Sequence, residues 1–185
     1  MPPAVTLYCA SKIMGEALGQ LYAQQYGIEF LGLRYSAIFG ERQHKRAIVV
    51  TQMVQAYEDI RAGRRPVIEG NGTQVTDYIY AGDAARANVM AMESNASGTG
   101  MNVVSGVDVS QNRVVELVLK ACGSRLEPTY FSDPAKIQMP VETKLGFSRA
   151  RAKELLGWEP QVSIEEGVTR LVRWLDQQRA RSEER

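Results

Sequence analysis

The sequence has little histidine and little cysteine: one His44, with Cys9 and Cys122, among 185 residues. The two cysteines lie far apart, with neither a ligand-pair spacing nor a second pair, which excludes the usual zinc arrangements and a disulfide framework. No metal is expected, and a reducing, cytoplasmic setting is the simpler expectation. An excess of charge of one sign is missing too. Lys and Arg number 22 against 21 Asp and Glu, a formal net charge of +1. No broad field therefore draws nucleic acid or an anionic membrane, and an anionic ligand has to be held by local groups. Long apolar runs are absent as well. None approaches the roughly 18 residues of a membrane span, and Met1-Pro2-Pro3-Ala4-Val5-Thr6 lacks the regions of a signal peptide. A full glycine-rich phosphate loop is also lacking. Gly70-x-Gly72 would need a third glycine where Val75 stands, and Gly98-Thr99-Gly100 runs into Met101-Asn102-Val103, so both read as turns.

Apolar side chains make up 44% of the chain, enough for a well-buried core, and one folded unit over residues 1–185 is expected. Over residues 8–26, Ile13, Met14, Ala17, Leu18, Leu21 and Tyr22 recur at three- and four-residue intervals before Gly27, which predicts an amphipathic helix. The run over residues 30–39, closed by Gly40, predicts one buried strand. A helix over 48–60, a short strand at 66–69, an extended segment at 77–80, a helix capped by Gly82-Asp83 and a strand at 101–104 follow. Ser110 opens a helix through Val114 to Leu119, and Pro128, Pro134 and Pro140 punctuate an irregular stretch. A short helix ends at Gly157, and Ser163-Ile164-Glu165-Glu166 is a capping box for a last helix, with a frayed tail after Gln177. This alternation predicts an α/β fold.

The chemistry centres on Tyr8-Cys9-Ala10-Ser11-Lys12. Four residues apart on a helix, Tyr8 and Lys12 project from one face. A phenol has an ordinary pKa of about 10, so acting as a base near neutrality requires about 4 kcal/mol of preferential stabilisation of phenolate. One cation at about 4 Å, at an effective dielectric near 20, supplies about 4 kcal/mol. The spacing alone is a weak signal, since a helical tyrosine is more often a packing residue and a lysine one turn away is usually a solvated partner.

The neighbouring segments sharpen it. Tyr8-Cys9-Ala10-Ser11-Lys12-Ile13-Met14-Gly15-Glu16 and Leu33-Arg34-Tyr35-Ser36-Ala37-Ile38-Phe39-Gly40-Glu41-Arg42-Gln43 resemble consecutive signatures of extended short-chain dehydrogenases/reductases of the nucleotide-sugar epimerase/dehydratase type. Gly70-Asn71-Gly72-Thr73-Gln74-Val75-Thr76-Asp77-Tyr78-Ile79-Tyr80 is similar to the segment before their substrate-side helix. Leu155-Leu156-Gly157-Trp158-Glu159-Pro160 and Ser163-Ile164-Glu165-Glu166-Gly167 look like their closing segment. The resemblance implies an α/β chain with an incomplete Rossmann-type sheet (residues 1–40 and 77–105) and a small α/β substrate-binding lobe (41–76 and 106–185). It also implies NAD as cofactor and a nucleotide-diphosphate sugar as substrate. Tyr8 would be the acid/base and Lys12 would hold the nicotinamide ribose, with the backbone around Ser36 beside the nicotinamide. Hydride removal from a sugar carbon, through a transient ketone, and return to the opposite face would invert that centre.

The glycine-rich strand–turn–helix that binds pyrophosphate in such enzymes has no counterpart here. The family's serine or threonine before the tyrosine has none either, so the chain is expected to be a truncated part that does not bind NAD normally alone. Removal of those early strands should uncover apolar faces at residues 31–38 and 101–104. Thr76 stands in place of a common diphosphate-binding arginine, and Ala37 in place of a frequent asparagine; Arg42, Arg46 and Lys144 are the candidate replacement charges. His44 reads as a loop residue, and Trp158 and Trp174 as packing residues. Met14, Leu18 and Leu21 suit either an internal core or a homodimer through the helix over 8–26, as family members often form. Alternatives to epimerisation are dehydration or decarboxylation of a similar substrate, or a non-catalytic binding and assembly remnant.

Overall fold

The computed structural model describes residues 6–43, 51–132 and 144–183. Helix α1 (Leu7–Tyr26) begins where the Thr6 hydroxyl accepts a hydrogen bond from the Cys9 N–H at 3.1 Å, and it stops at Gly27, whose φ of 66° is left-handed. Strands β1 (Leu31–Tyr35) and β2 (Ala37–Phe39) follow, then α2 (Thr51–Arg61), β3 (Val67–Glu69), β4 (Val75–Tyr80), α3 (Ala81–Glu93) and β5 (Thr99–Val103). The chain continues through β6 (Asp108–Ser110), α4 (Gln111–Ala121), β7 (Thr129–Phe131), α5 (Ala150–Leu156) and α6 (Ile164–Glu183). The alternation is α/β, as the pattern predicts. No helix among the described residues is long and apolar enough to cross a membrane.

The single strand expected over 30–39 is two strands in two sheets. β1 runs parallel to β5, with Leu31 opposite Thr99 and Tyr35 opposite Val103, whereas β2 runs parallel to β4, with Ala37 opposite Tyr78. Both halves are apolar, so hydrophobic pattern alone cannot show that the chain changes partners at Ser36. β4 also pairs antiparallel with β6, and β3 runs parallel to β7, a strand hidden in the proline-punctuated stretch.

Two apolar cores result. One joins α2, α4 and α6 through Met53, Tyr57, Val114, Val118, Leu171 and Leu175. The Arg61 guanidinium and the Tyr57 hydroxyl both donate to Asp176, closing α2 onto α6. The other core gathers Ile79, Ala87, Met101, Val103, Ala152 and Trp158. The apolar face expected to be uncovered at 101–104 is therefore buried: Met101, Val103 and Val104 are at most 3% exposed, because α5 packs on β5. At the other expected face, Tyr35 and Ile38 are exposed while Leu31 and Leu33 are half-buried.

Two further expectations are corrected. Gly82-Asp83 does not cap α3, which begins at Ala81; the buried Asp83 carboxylate instead accepts from the backbone N–H groups of Gln161 and Val162 at 3.0 and 2.9 Å and from Arg86 at 2.8 Å. The tail after Gln177 is not frayed, since α6 continues to Glu183, with Arg179 paired to that residue one turn on. The Ser163 capping is present, its hydroxyl accepting from the Glu166 N–H at 3.2 Å.

Trp158 is fully buried and its indole N–H donates to the Asp83 carbonyl at 3.0 Å. Replacing it by alanine removes the largest side chain of that core together with its hydrogen bond to the Asp83 carbonyl. Trp158→Ala is expected to destabilise the chain by about 3–5 kcal/mol in urea unfolding; a loss below about 1 kcal/mol would contradict this packing.

Candidate active site

Tyr8, Lys12 and Glu16 recur every fourth residue of α1, so one stripe of the helix carries all three. The Lys12 Nζ stands 5.2 Å from the centroid of the Tyr8 ring, a cation over an aromatic face. The Tyr8 side chain is 70% exposed, and its helical turn is firm, with the Ser11 hydroxyl donating to the Tyr8 carbonyl at 2.8 Å. Between α1 and the β1–β2 segment lies an open cleft of about 910 Å³ whose walls include Tyr8, Lys12, Gly32, Arg34 and Ser36.

Glu16 sets the position of the stripe over the sheet. Its carboxylate accepts two hydrogen bonds from the Arg34 guanidinium, one from Nε at 2.9 Å and one from Nη2. That fork holds the Glu16 carboxyl below the ordinary carboxylate range and pushes Arg34 up, chiefly through the hydrogen bonds themselves. Gly32 and Gly100 face each other across β1 and β5. A Cβ on Gly100 would stand 2.7 Å from Glu16 Oε1 and one on Gly32 3.6 Å from Glu16 Cδ, so bare backbone is what lets the carboxylate lie against the strands.

At the other end, the Ser36 hydroxyl donates to Asp77 Oδ1 at 2.6 Å. Asp77 is 1% exposed and also accepts from the backbone N–H groups of Ser105, Gly106 and Val107 at 2.9, 2.6 and 3.2 Å. The structure thus brings Tyr8, Lys12 and Ser36 to one cleft. Arg42 and Lys144 are exposed and not among the cleft walls; Arg42 occupies a left-handed backbone conformation with φ of 63° after β2. Arg46 and His44 lie outside the described residues. Glu16, Arg34 and Asp77 were not singled out from sequence. Glu16 continues the four-residue spacing of Tyr8 and Lys12, a signal that was available; the partners of Arg34 and Asp77 are distant in sequence and left none.

Residues 1–105 match the model of the NAD dependent epimerase/dehydratase family, and the chain belongs to that family. It is 34% identical over 170 residues to a putative UDP-glucose 4-epimerase of Methanocaldococcus jannaschii, covering 91% of this chain and 52% of that one. The UDP-glucose 4-epimerase of Mycolicibacterium smegmatis is 31% identical over 167 residues, covering 89% and 51%. The crystal structure of a Thermotoga maritima UDP-glucose 4-epimerase with UDP-glucose matches with a TM-score of 0.81 at 30% identity, over 92% of this chain and 53% of that one. A Bacillus cereus UDP-glucuronic acid 4-epimerase solved with UDP-glucuronic acid and NAD shares the fold at 23% identity and a TM-score of 0.80, over 96% and 55%. The chain spans about half the length of the curated relatives it matches.

The fork between Glu16 and Arg34 is partly exposed, so its worth is modest. Glu16→Gln and Gly100→Ala each break it, the second by driving the carboxylate aside, and each is expected to cost about 1 kcal/mol. Because both remove the same contact, the double variant is expected to lose no more than either single one in urea unfolding. Additive losses would show that Glu16 does not rest on Gly100.

Proposed function

We propose that this chain carries the acid/base helix and the substrate-side lobe of an NAD-dependent epimerase acting on a UDP-linked sugar. The observation that supports this most is the Lys12 ammonium 5.2 Å from the Tyr8 ring, both groups opening on the cleft that Ser36 also lines. Tyr8 is the acid/base: as phenolate it takes the proton from the sugar hydroxyl whose carbon is oxidised, and as phenol it returns that proton when the carbon is reduced. Lys12 offsets negative charge on the phenol oxygen as the proton moves. The residues present fit the nicotinamide end of NAD, since an ammonium and a phenol on one stripe can bind a ribose diol and Ser36 offers a polar wall beside them. When bound there, NAD would supply a reversible hydride acceptor at the sugar carbon, so that a centre oxidised to a ketone could be reduced from its opposite face and inverted.

The relatives above 30% identity favour a UDP-sugar 4-epimerase, whereas a dTDP-glucose 4,6-dehydratase relative stands at 22%. In this reading residues 1–40 and 77–105 form the cofactor side and 41–76 with 106–185 the sugar side, where Arg42, Arg46 and Lys144 are candidates for the diphosphate. In a protein that joins this chain to a glycine-rich dinucleotide-binding half, assayed as interconversion of UDP-glucose and UDP-galactose with NAD, Tyr8→Phe is expected to lower kcat at least about a hundredfold with little change in KM. Turnover equal to that of the unaltered protein would remove Tyr8 from the mechanism.

A homodimer through α1 is part of the same proposal. No residue of α1 is buried; Met14, Leu18 and Leu21, on a stripe other than that of Tyr8 and Lys12, are 63%, 53% and 50% exposed. Sedimentation velocity is expected to show a dimer that Leu18→Glu converts to monomer; a monomeric unaltered chain would refute it.

A further inference from the structure

We infer that the Ser36 hydroxyl is a hydrogen-bond acceptor for a ligand N–H or O–H group in the cleft, its polarity fixed by the buried Asp77 carboxylate. The inference deepens the proposed function and rests on it. Both oxygens of Asp77 already accept from backbone N–H groups, Oδ1 from Ser105 and Oδ2 from Gly106 and Val107. Backbone N–H groups can only donate, so the carboxylate acts as an acceptor throughout, and Ser36, 2.6 Å from Oδ1, is the donor of the fourth bond.

A serine hydroxyl has one proton. With that proton committed to Asp77, only lone pairs remain for the cleft that Ser36 lines. A phosphate or carbonyl oxygen placed there would face those lone pairs without a proton between them. A carboxamide N–H₂ or a sugar hydroxyl would be matched. Asp77 thereby acts as a positioning residue: it touches no ligand, yet it determines which chemical groups Ser36 can receive. The arrangement is tethered at both ends, because Asp77 lies on β4 opposite β6, and Ser36 is the hinge between β1 and β2.

Two ligand groups share this chemistry, the carboxamide of nicotinamide and a hydroxyl of the sugar, and saturation-transfer NMR competition reads both even when binding is weak. In one arm the chain is titrated with NAD and with its acetylpyridine analogue, in which a methyl ketone replaces the carboxamide and removes the N–H donor. In the other it is titrated with UDP-glucose and with deoxyfluoro analogues, each lacking one hydroxyl donor. The unaltered chain is expected to prefer the donor-bearing ligand about fivefold in one arm, which identifies the source. Ser36→Ala is expected to abolish that preference, and Ser36→Thr, which keeps the hydroxyl, to retain it. Equal affinities in both arms, or a Ser36→Ala variant that binds more weakly while keeping the preference, would overturn the inference. Absence of any binding of NAD and of UDP-glucose to the unaltered chain would instead remove the functional reading, and this inference with it.

Discussion

The buried carboxylate of Asp77 holds the place where the strand run after α1 passes from one sheet to another. Burying a charge is costly unless its lone pairs are occupied, and here three backbone N–H groups and a hydroxyl occupy them. The same four bonds fasten the turn after β5 to β4 and hold Ser36 at the break between β1 and β2. Through that break β1 stays with β5 while β2 crosses to β4, so one wall of the cleft is built from both sheets. Without the tether, nothing in the apolar character of the segment would fix where one pairing ends and the other starts.

The opposite wall depends on a different kind of contact. α1 buries no residue completely, and so lacks the apolar anchoring that fixes α4 and α6. Its position comes from the fork between Glu16 and Arg34 and from Gly19, where the Phe30 ring occupies the space a Cβ would take. These contacts lie further along the same stripe, beyond the first turns of α1, and leave Tyr8 and Lys12 exposed at the cleft. A helix held by few contacts suits groups that have to meet a ligand, since a fully packed face would leave no room for one.

Legibility differed sharply between elements. The helices were readable because their signals are local: the spacing of apolar residues in α4, the Ser163 cap of α6, and the glycines after α1 and α5. Strands were read as runs but not as pairs. β7 leaves little trace because three residues among prolines carry little pattern, and Asp83 resembles a cap because it is an acidic residue near a helix start, whereas two of its three partners lie nearly eighty positions away. In the site, Tyr8 and Lys12 were found because their relation is a helical one. The roles of Glu16 and Asp77 were not, because each depends on a strand brought up from elsewhere.

The sequence by itself determined the α/β alternation, the helix that carries Tyr8 and Lys12 on one stripe, and membership of the NAD dependent epimerase/dehydratase family. Each of these follows from residues close together in the chain, where backbone geometry dictates which side chains meet. Only the tertiary structure decided that the strand after α1 divides at Ser36, that α5 covers β5, and that Asp77 and Glu16 set the two walls of the cleft. Those features arise from hydrogen bonds and close packing between segments 18 to 41 residues apart or more, whose geometry no local pattern encodes.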